Sequence, residues 1–209
     1  MEARVVPAKR LARAQRREDL LDAAVQLILG GGIEAISMET VAERAGVSRP
    51  LVYKHFASKN ELLIGVYRRE ALTIYDEVAA DVRAATTLTG MYRALVVASI
   101  RASSEHGALF AAFRAAGTWN QKLREEQRAR DRETVRVFAE RARNQYGIPL
   151  PEARSATVIL LAAIDSVLTQ WRTRRISADL LEETYMDIVT GGLQRLAART
   201  AGRSAVASS

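Results

Sequence analysis

The stretch Ser37–Phe56, which reads SMETVAERAGVSRPLVYKHF, decides how the first part of this chain folds. Within it, Ala42, Gly46 and Val52 have the spacing of two short helices joined by a tight turn. A small alanine lets two helices cross closely, and a glycine permits a left-handed backbone at the turn. Two short helices joined by a glycine-containing turn form a helix-turn-helix, so the stretch predicts this motif.

The second helix of the motif has an unusual outward face. At about 100° per residue, Val52 and Phe56 share the buried side of this helix. The opposite and flanking positions then hold Arg49, Pro50, Leu51, Tyr53, Lys54 and His55. Arginine pairs with a guanine edge and leucine contacts a thymine methyl, so this face suits the major groove of DNA. Plainer interpretations also stand: Tyr53 and His55 as packing residues, and Lys54 as a solvated charge.

Charge is concentrated at the start of the chain. The chain of 209 residues has a net charge of +7, and residues 1–17 hold six basic side chains against Glu2 alone. This segment is predicted to be a basic arm that contacts the DNA backbone, or else an uncommitted tail. The arm residues predicted to contact phosphates are Lys9, Arg10, Arg13 and Arg16.

The residue inventory excludes several classes of protein. The chain has no cysteine and two histidines, so thiolate metal sites are excluded and neither a metal nor a cofactor is predicted. An enzyme is disfavoured because no HExxH motif or phosphate-binding loop occurs. We expect a cytoplasmic protein with no membrane span, since no apolar run approaches the ~20 residues that a span needs.

Periodicity and breakers predict an all-α protein of about nine helices. An N-terminal three-helix helix-turn-helix domain is expected at residues 1–66, a helical domain at 67–199 and a disordered tail at 200–209. A long helix over Lys59–Ala84 joins the two domains and begins at a capping box formed by Ser58 and Glu61. The other helices are predicted from about Lys9 to the Gly30–Gly32 run, then over Met38–Ala45, after Ser48, and over Thr89–Ser104, Ala108–Ala115, Trp119–Tyr146, Glu152–Arg174 and Ala178–Arg199.

The stretch Arg17–Val66 resembles the DNA-binding domain of the TetR/AcrR family of bacterial regulators. The residues that carry the resemblance are Leu21, Ala23, Ala24, Leu27, Gly31, Val41, Ala42, the run Ala45–Ser48, Val52, Tyr53, His55, Phe56, Ser58, Lys59 and the run Glu61–Leu63. It departs from the family at Ser37, which replaces the usual threonine, and at Glu39, a carboxylate that would repel phosphate. Glu39 suits the helix dipole and can instead accept from a cytosine amino group.

With this resemblance, we expect a DNA interface of eleven residues outside the arm. They are Ser37, Met38, Glu39, Ser48, Arg49, Pro50, Leu51, Tyr53, Lys54, His55 and Lys59. Tyr53 and Lys59 are expected on phosphates, with a solvated charge as the alternative for Lys59.

The last two helices carry apolar residues on more than one face, which favours a partner over a larger monomeric core. The family resemblance implies a homodimer built from these helices, and its two-fold symmetry implies a palindromic operator in double-stranded DNA. The predicted interface residues are Leu161, Ile164, Leu168, Tyr185, Ile188, Val189, Gly192 and Leu196.

The resemblance also implies a pocket for an unknown small-molecule effector. The candidate lining residues are Tyr92, Val96, His106, Phe110, Phe113, Trp119, Asp165, Gln170 and Trp171, although aromatics at helical spacing also suit a core. The expected function is that of a repressor released from its operator by an effector. The alternatives are an activator or co-repressor of the same fold, and an architectural protein that binds DNA without reading its sequence.

Overall fold

The computed structural model describes residues 8–116, 121–173 and 176–207, and these residues are helical without strands, as the sequence predicts. Side chains at positions 8–11, 121, 122, 124, 165, 170 and 204–207 lie outside the described set. In chain order the helices are α1 Ala8–Gly31, a 3₁₀ turn Ile33–Ala35, α2 Met38–Arg44, α3 Arg49–His55, α4 Lys59–Ala84, α5 Leu88–Ala115, α6 Gln121–Tyr146, α7 Leu150–Arg172 and α8 Ala178–Ala207. None of the helices in these described ranges is long and apolar enough to cross a bilayer.

Two helices differ from the sequence-based prediction. α5 is one helix of 28 residues, so the predicted break between residues 104 and 108 is wrong. Gly107 lies at this predicted break. A glycine inside a helix lowers stability by only about 1 kcal/mol relative to alanine, and the burial of Leu109 and Phe113 after it outweighs this cost. α8 runs to Ala207, so residues 200–207 are helical, not disordered; Arg199 and Arg203 both donate to Glu152 on α7, at 3.0 and 2.8 Å. The described part of the chain therefore has eight α-helices.

The helices form two compact units. Unit 1 comprises Met1–Leu72 and His106–Leu123, and unit 2 comprises Thr73–Glu105 and Arg124–Ser209. The sequence predicts a boundary between residues 66 and 67, with all of α5 in the second domain. In the structure the last turns of α5 belong with the helix-turn-helix, because Leu109 and Phe113 share its core.

Unit 1 is ordered by local hydrogen bonds at helix ends. Ser37 and Thr40 form a capping box, in which the Ser37 side chain accepts from the Thr40 amide at 3.0 Å and Thr40 accepts from the Ser37 amide at 2.9 Å. Ser58 accepts from the Glu61 amide at 3.2 Å, while the Glu61 carboxylate accepts from the Ala57 amide at 2.7 Å. These caps satisfy backbone donors that a helix leaves unpaired at its start.

Unit 2 is built around three aromatic rings. The Tyr92 ring lies edge-on to Phe138 and Tyr185, with centroids 4.8 and 6.4 Å away. The Tyr92 hydroxyl lies 3.3 Å from the Thr157 hydroxyl, and Tyr185 donates to the Leu160 carbonyl at 3.0 Å. Burial raises the pKa of Tyr92 to about 12, although the hydrogen bond to Thr157 opposes the shift. Both tyrosines are thus neutral components of a packed core.

Candidate nucleic-acid interface

α3 is anchored on one side and exposed on the other. Val52 and Phe56 are fully buried, as predicted, and hold the helix against α1, α2 and α4. Gly46 has φ 65°, so the turn before α3 needs the left-handed backbone that glycine provides. Ser48 occupies the N-cap position, but its side chain makes no capping hydrogen bond. The exposed residues on α3 are Arg49, Pro50, Tyr53 and Lys54, and Leu51 and His55 are half-buried.

Arg49 and Tyr53 form a pair on the exposed face of α3. The Arg49 guanidinium carbon lies 5.7 Å from the centroid of the Tyr53 ring, within the range of a cation–π contact. A hydrogen bond to Tyr53, the charge of Tyr53 and then that of Glu39 on α2 raise the pKa of Arg49. Tyr53 is 45% exposed, which disfavours the half-buried packing alternative. The pair presents a cation at the tip of the helix-turn-helix.

The basic residues of α1 lie close to the end of α3. The pKa of His55 is lowered, first by burial and then by the positive charges of Arg13, Arg17, Lys54 and Arg16. His55 is therefore an uncharged side chain at neutral pH, next to a group of cations. Arg13 and Arg16 are exposed, while the Lys9 and Arg10 side chains lie outside the described residues. The predicted arm is thus helical from Ala8, and its described cations lie near His55 at the end of α3.

One residue that the sequence analysis passed over, Gly65, makes this arrangement possible. The Arg17 guanidinium carbon lies 4.7 Å from the centroid of the Phe56 ring. A Cβ at Gly65 on α4 would lie 3.1 Å from Phe56 Cε1, 3.2 Å from Leu21 Cδ2 and 3.3 Å from Arg17 Nη2. Gly65 therefore lies where α4 packs closely against Leu21 and Arg17 of α1 and against Phe56 at the end of α3. The one signal of this close packing in the sequence is a glycine inside a segment with helical periodicity.

The start of α2 divides into exposed and buried residues. Ser37 and Glu39 are exposed, and Lys59 at the start of α4 is half-buried. Met38 is 6% exposed and packs in the unit 1 core, so its side chain is not on the outward face where the resemblance placed it. The reason is periodicity, because Met38 lies one turn before Val41 and Ala42, which face the same core.

The predicted effector residues are divided between the two units. Tyr92 and Val96 are fully buried in the unit 2 core, and Trp171 packs against that core. His106, Phe110 and Phe113 belong to unit 1. Trp119 and the side chains of Asp165 and Gln170 lie outside the described residues.

The predicted effector residues that lie in unit 1 make contacts with other side chains of that unit. Phe110 and Phe113 meet the Tyr67 ring edge-on, at centroid distances of 5.2 and 5.4 Å. His106 Nδ1 lies 3.5 Å from the Glu70 carboxylate. A cleft of about 10 Å³ lies beside Phe113 and has room for about one water molecule. The residues that line this cleft are Asn60, Leu63, Ile64, Tyr67, Phe113 and Leu123.

The predicted dimer residues also divide. Ile164, Leu168, Tyr185 and Val189 are buried within unit 2 itself, so the chain's own core uses this face of α7 and α8. Leu161 and Leu196 are half-buried, and Gly192 is exposed. Ile188 is 60% exposed, as are Ile159 at 69% and Val158 at 52% on α7. The sequence pattern missed Ile159 because two adjacent apolar faces cannot be told apart by periodicity.

Comparison with known proteins identifies the motif. Residues 20–66 match the family described as bacterial regulatory proteins, tetR family. The chain is 39% identical over 89 residues to the HTH-type transcriptional activator FasR of Mycolicibacterium smegmatis, covering 43% of this chain and 41% of that protein. It is 44% identical over 59 residues to the HTH-type transcriptional repressor KstR of Rhodococcus jostii, covering 28% of each. The match thus spans less than half the length of these relatives.

The fold extends the likeness to the rest of the chain. A crystal structure of a transcriptional regulator from Pseudomonas aeruginosa PAO1 superposes with a TM-score of 0.73, covering 89% of this chain and 94% of that one at 16% identity. At this identity the likeness concerns the fold alone. The region that matches the tetR family of bacterial regulatory proteins is thus residues 20–66, which hold the helix-turn-helix.

Proposed function

We propose that this chain is a TetR-family transcriptional regulator in the cytoplasm, which binds a palindromic operator as a homodimer and leaves it when a small molecule binds. The observation that carries the proposal is the exposed face of α3. There Arg49, Tyr53 and Lys54 stand over the buried anchors Val52 and Phe56. The relatives include both an activator and a repressor, and we propose repression for this chain, with activation or co-repression as the alternative.

Four side chains of α3 have a proposed role in DNA recognition. Arg49, whose guanidinium lies by the Tyr53 ring, is proposed to pair with a guanine edge in the major groove. Leu51 is proposed to contact a thymine methyl, and Lys54 a base or a phosphate. Tyr53 and Lys59, with Arg13 and Arg16 of α1, are proposed to bind phosphates and so to set the position of α3 on the duplex.

Exposed apolar residues on α7 and α8 support a homodimer. Val158, Ile159 and Ile188 are each more than half exposed on helices that pack against each other. Gly191 and Gly192 are exposed on α8, and an added Cβ at either would meet nothing within 4 Å. A partner helix can approach such a surface closely. We therefore propose this exposed face as the interface, in place of the buried face that periodicity suggested.

Effector release is proposed to act through α4. α4 and α5 are single helices that each contribute residues to both units. A molecule bound in unit 2 can therefore act on the helices that hold α3 through these two helices. We propose that effector binding alters α4 and thereby the separation of the two α3 helices in the dimer. A screen of metabolites and xenobiotics for release of the operator tests this step, and crystals with unchanged separation would refute the mechanism.

The DNA-binding step is tested by selection from a pool of random duplexes with the full-length chain. We expect a palindromic consensus whose half-sites are separated by about one helical turn. Selection of no consensus would favour the architectural alternative, since a protein that binds only phosphates enriches no sequence.

A further inference from the structure

A charge cluster joins α4 to the base of the basic arm. The Arg69 guanidinium on α4 donates through Nη1 to the Asp22 carboxylate at 2.7 Å, to the Glu18 carboxylate at 3.3 Å and to the Glu18 carbonyl at 3.4 Å. Its Nε donates to Glu70 at 2.9 Å. The other Glu70 oxygen lies 3.5 Å from His106 Nδ1 on α5. One arginine therefore ties α4 to α1, and its neighbour Glu70 extends the cluster to α5.

The cluster lies where α1 loses its apolar anchors. Leu20 is the first fully buried residue of α1, and the described side chains from residue 12 to residue 19 are exposed or half-buried. Two contacts join this part of α1 to the rest of unit 1: Arg17 lies over the Phe56 ring, and Arg69 donates to Glu18. Glu18 and Asp22 are spaced i, i+4 and would repel each other without a cation between them.

Orientation is the stronger effect of such contacts. Arg69 is 23% exposed and its carboxylate partners on α1 are 46% and 65% exposed, a setting in which ion pairs add little to the free energy of unfolding. Arg13 and Arg16, five and two residues before Glu18, are exposed and close enough to lower the pKa of His55 on α3. A change in the direction of α1 at Glu18 would move these two cations relative to the outward face of α3.

We infer that Arg69 is a positioning residue for DNA binding, which holds the basic turns of α1 beside α3 through Glu18 and Asp22. The inference rests on the proposed function, because it assumes that α3 and α1 contact the same duplex. Arg69 itself touches no DNA in this account. It acts through Arg13 and Arg16.

The test removes the two carboxylates and leaves Arg69 in place. The variant Glu18→Gln/Asp22→Asn makes the chain more positive, so electrostatics alone predicts tighter DNA binding. If Arg69 positions α1, the opposite is expected, and the variant should bind DNA about tenfold or more weakly. The slope of log Kobs against log salt should become smaller by about two to four, because Arg13 and Arg16 of both subunits lose their contacts with phosphates. The matched control is Asp19→Asn, whose carboxylate pairs with Arg16 at 3.5 Å and whose loss is expected to leave binding unchanged or tighter.

Two further results decide the inference. Added to Arg13→Gln/Arg16→Gln, the two carboxylate changes should cause no further loss, because the groups they position are gone. Tighter binding, an unchanged salt slope or additive losses would overturn it. Binding is measured on the selected operator and on a random-sequence duplex with the full-length chain. If wild type selects no consensus, the regulator proposal fails while the salt slopes on random DNA still test the role of Arg69.

Discussion

Gly65 offers a quantitative test of the packing that holds α3. A Cβ there would lie 3.1 Å from Phe56 Cε1 and 3.2 Å from Leu21 Cδ2, closer than ordinary van der Waals contact. Both neighbours are fully buried, so neither can move into solvent. Alanine gains about 1 kcal/mol over glycine in a helix interior, and overpacking a tight core costs about 1–3 kcal/mol. Gly65→Ala is therefore expected to destabilise the chain by about 1 kcal/mol.

For a chain of this length that loss corresponds to a fall of about 2–4 °C in Tm, which differential scanning calorimetry resolves. The matched control is Gly30→Ala, near the end of α1, where an added Cβ meets nothing within 4 Å and the same substitution should not lower Tm. Because Phe56 ends α3, Gly65→Ala should also weaken DNA binding, measured by fluorescence anisotropy. A variant with raised Tm and unchanged DNA affinity would show that α1, α3 and α4 are less tightly packed than the structure describes.

Three further predictions address the caps, the histidine and the dimer. Ser37→Ala removes the capping box of α2 and should cost about 1 kcal/mol in chemical denaturation, with Ser48→Ala as a control expected to cost less because that side chain makes no capping bond. The pKa of His55 is lowered on folding, so the unfolded chain binds a proton at His55 more readily and stability should fall as the pH drops below about 6.5. The difference in Tm between pH 7.5 and pH 5.5 should therefore be smaller in His55→Gln than in wild type. A difference of the same size in both proteins would refute this prediction. Ile159→Glu places a charge on the exposed α7 face and should give a monomer in sedimentation velocity, whereas a dimer of unchanged strength would place the interface elsewhere.

Local signals predicted unit 1 well. Ser37 and Ser58 fall at helix starts, Gly46 has the left-handed backbone, and Val52 and Phe56 are buried. Each of these features depends on residues within about one turn of each other, where side-chain chemistry and helical periodicity act directly. The chemistry of the outward side chains predicted DNA recognition, and the family resemblance added Ser37, Met38 and Glu39 at the start of α2.

Features that depend on distant parts of the chain were not predictable. Gly65 and Arg69 matter because of residues on α1 that lie more than 40 positions away, and no local pattern reports them. The apolar faces of α7 and α8 were recognised, but which face packs inside unit 2 depends on Tyr92 and Phe138. Aromatic residues proposed for an effector pocket fell into two units for the same reason, since burial in a core and exposure in a pocket favour the same side chains.

Whether α3 reads DNA sequence is tested by the affinity of wild type and Arg49→Ala for an operator and for each of its single-base-pair variants. Arg49→Ala is expected to abolish discrimination at one position in each half-site, worth about 1–3 kcal/mol, and to leave the preferences at other positions intact. An equal loss of affinity for every duplex, with all preferences retained, would mean that Arg49 binds phosphate only and would contradict the proposed reading by this face of α3.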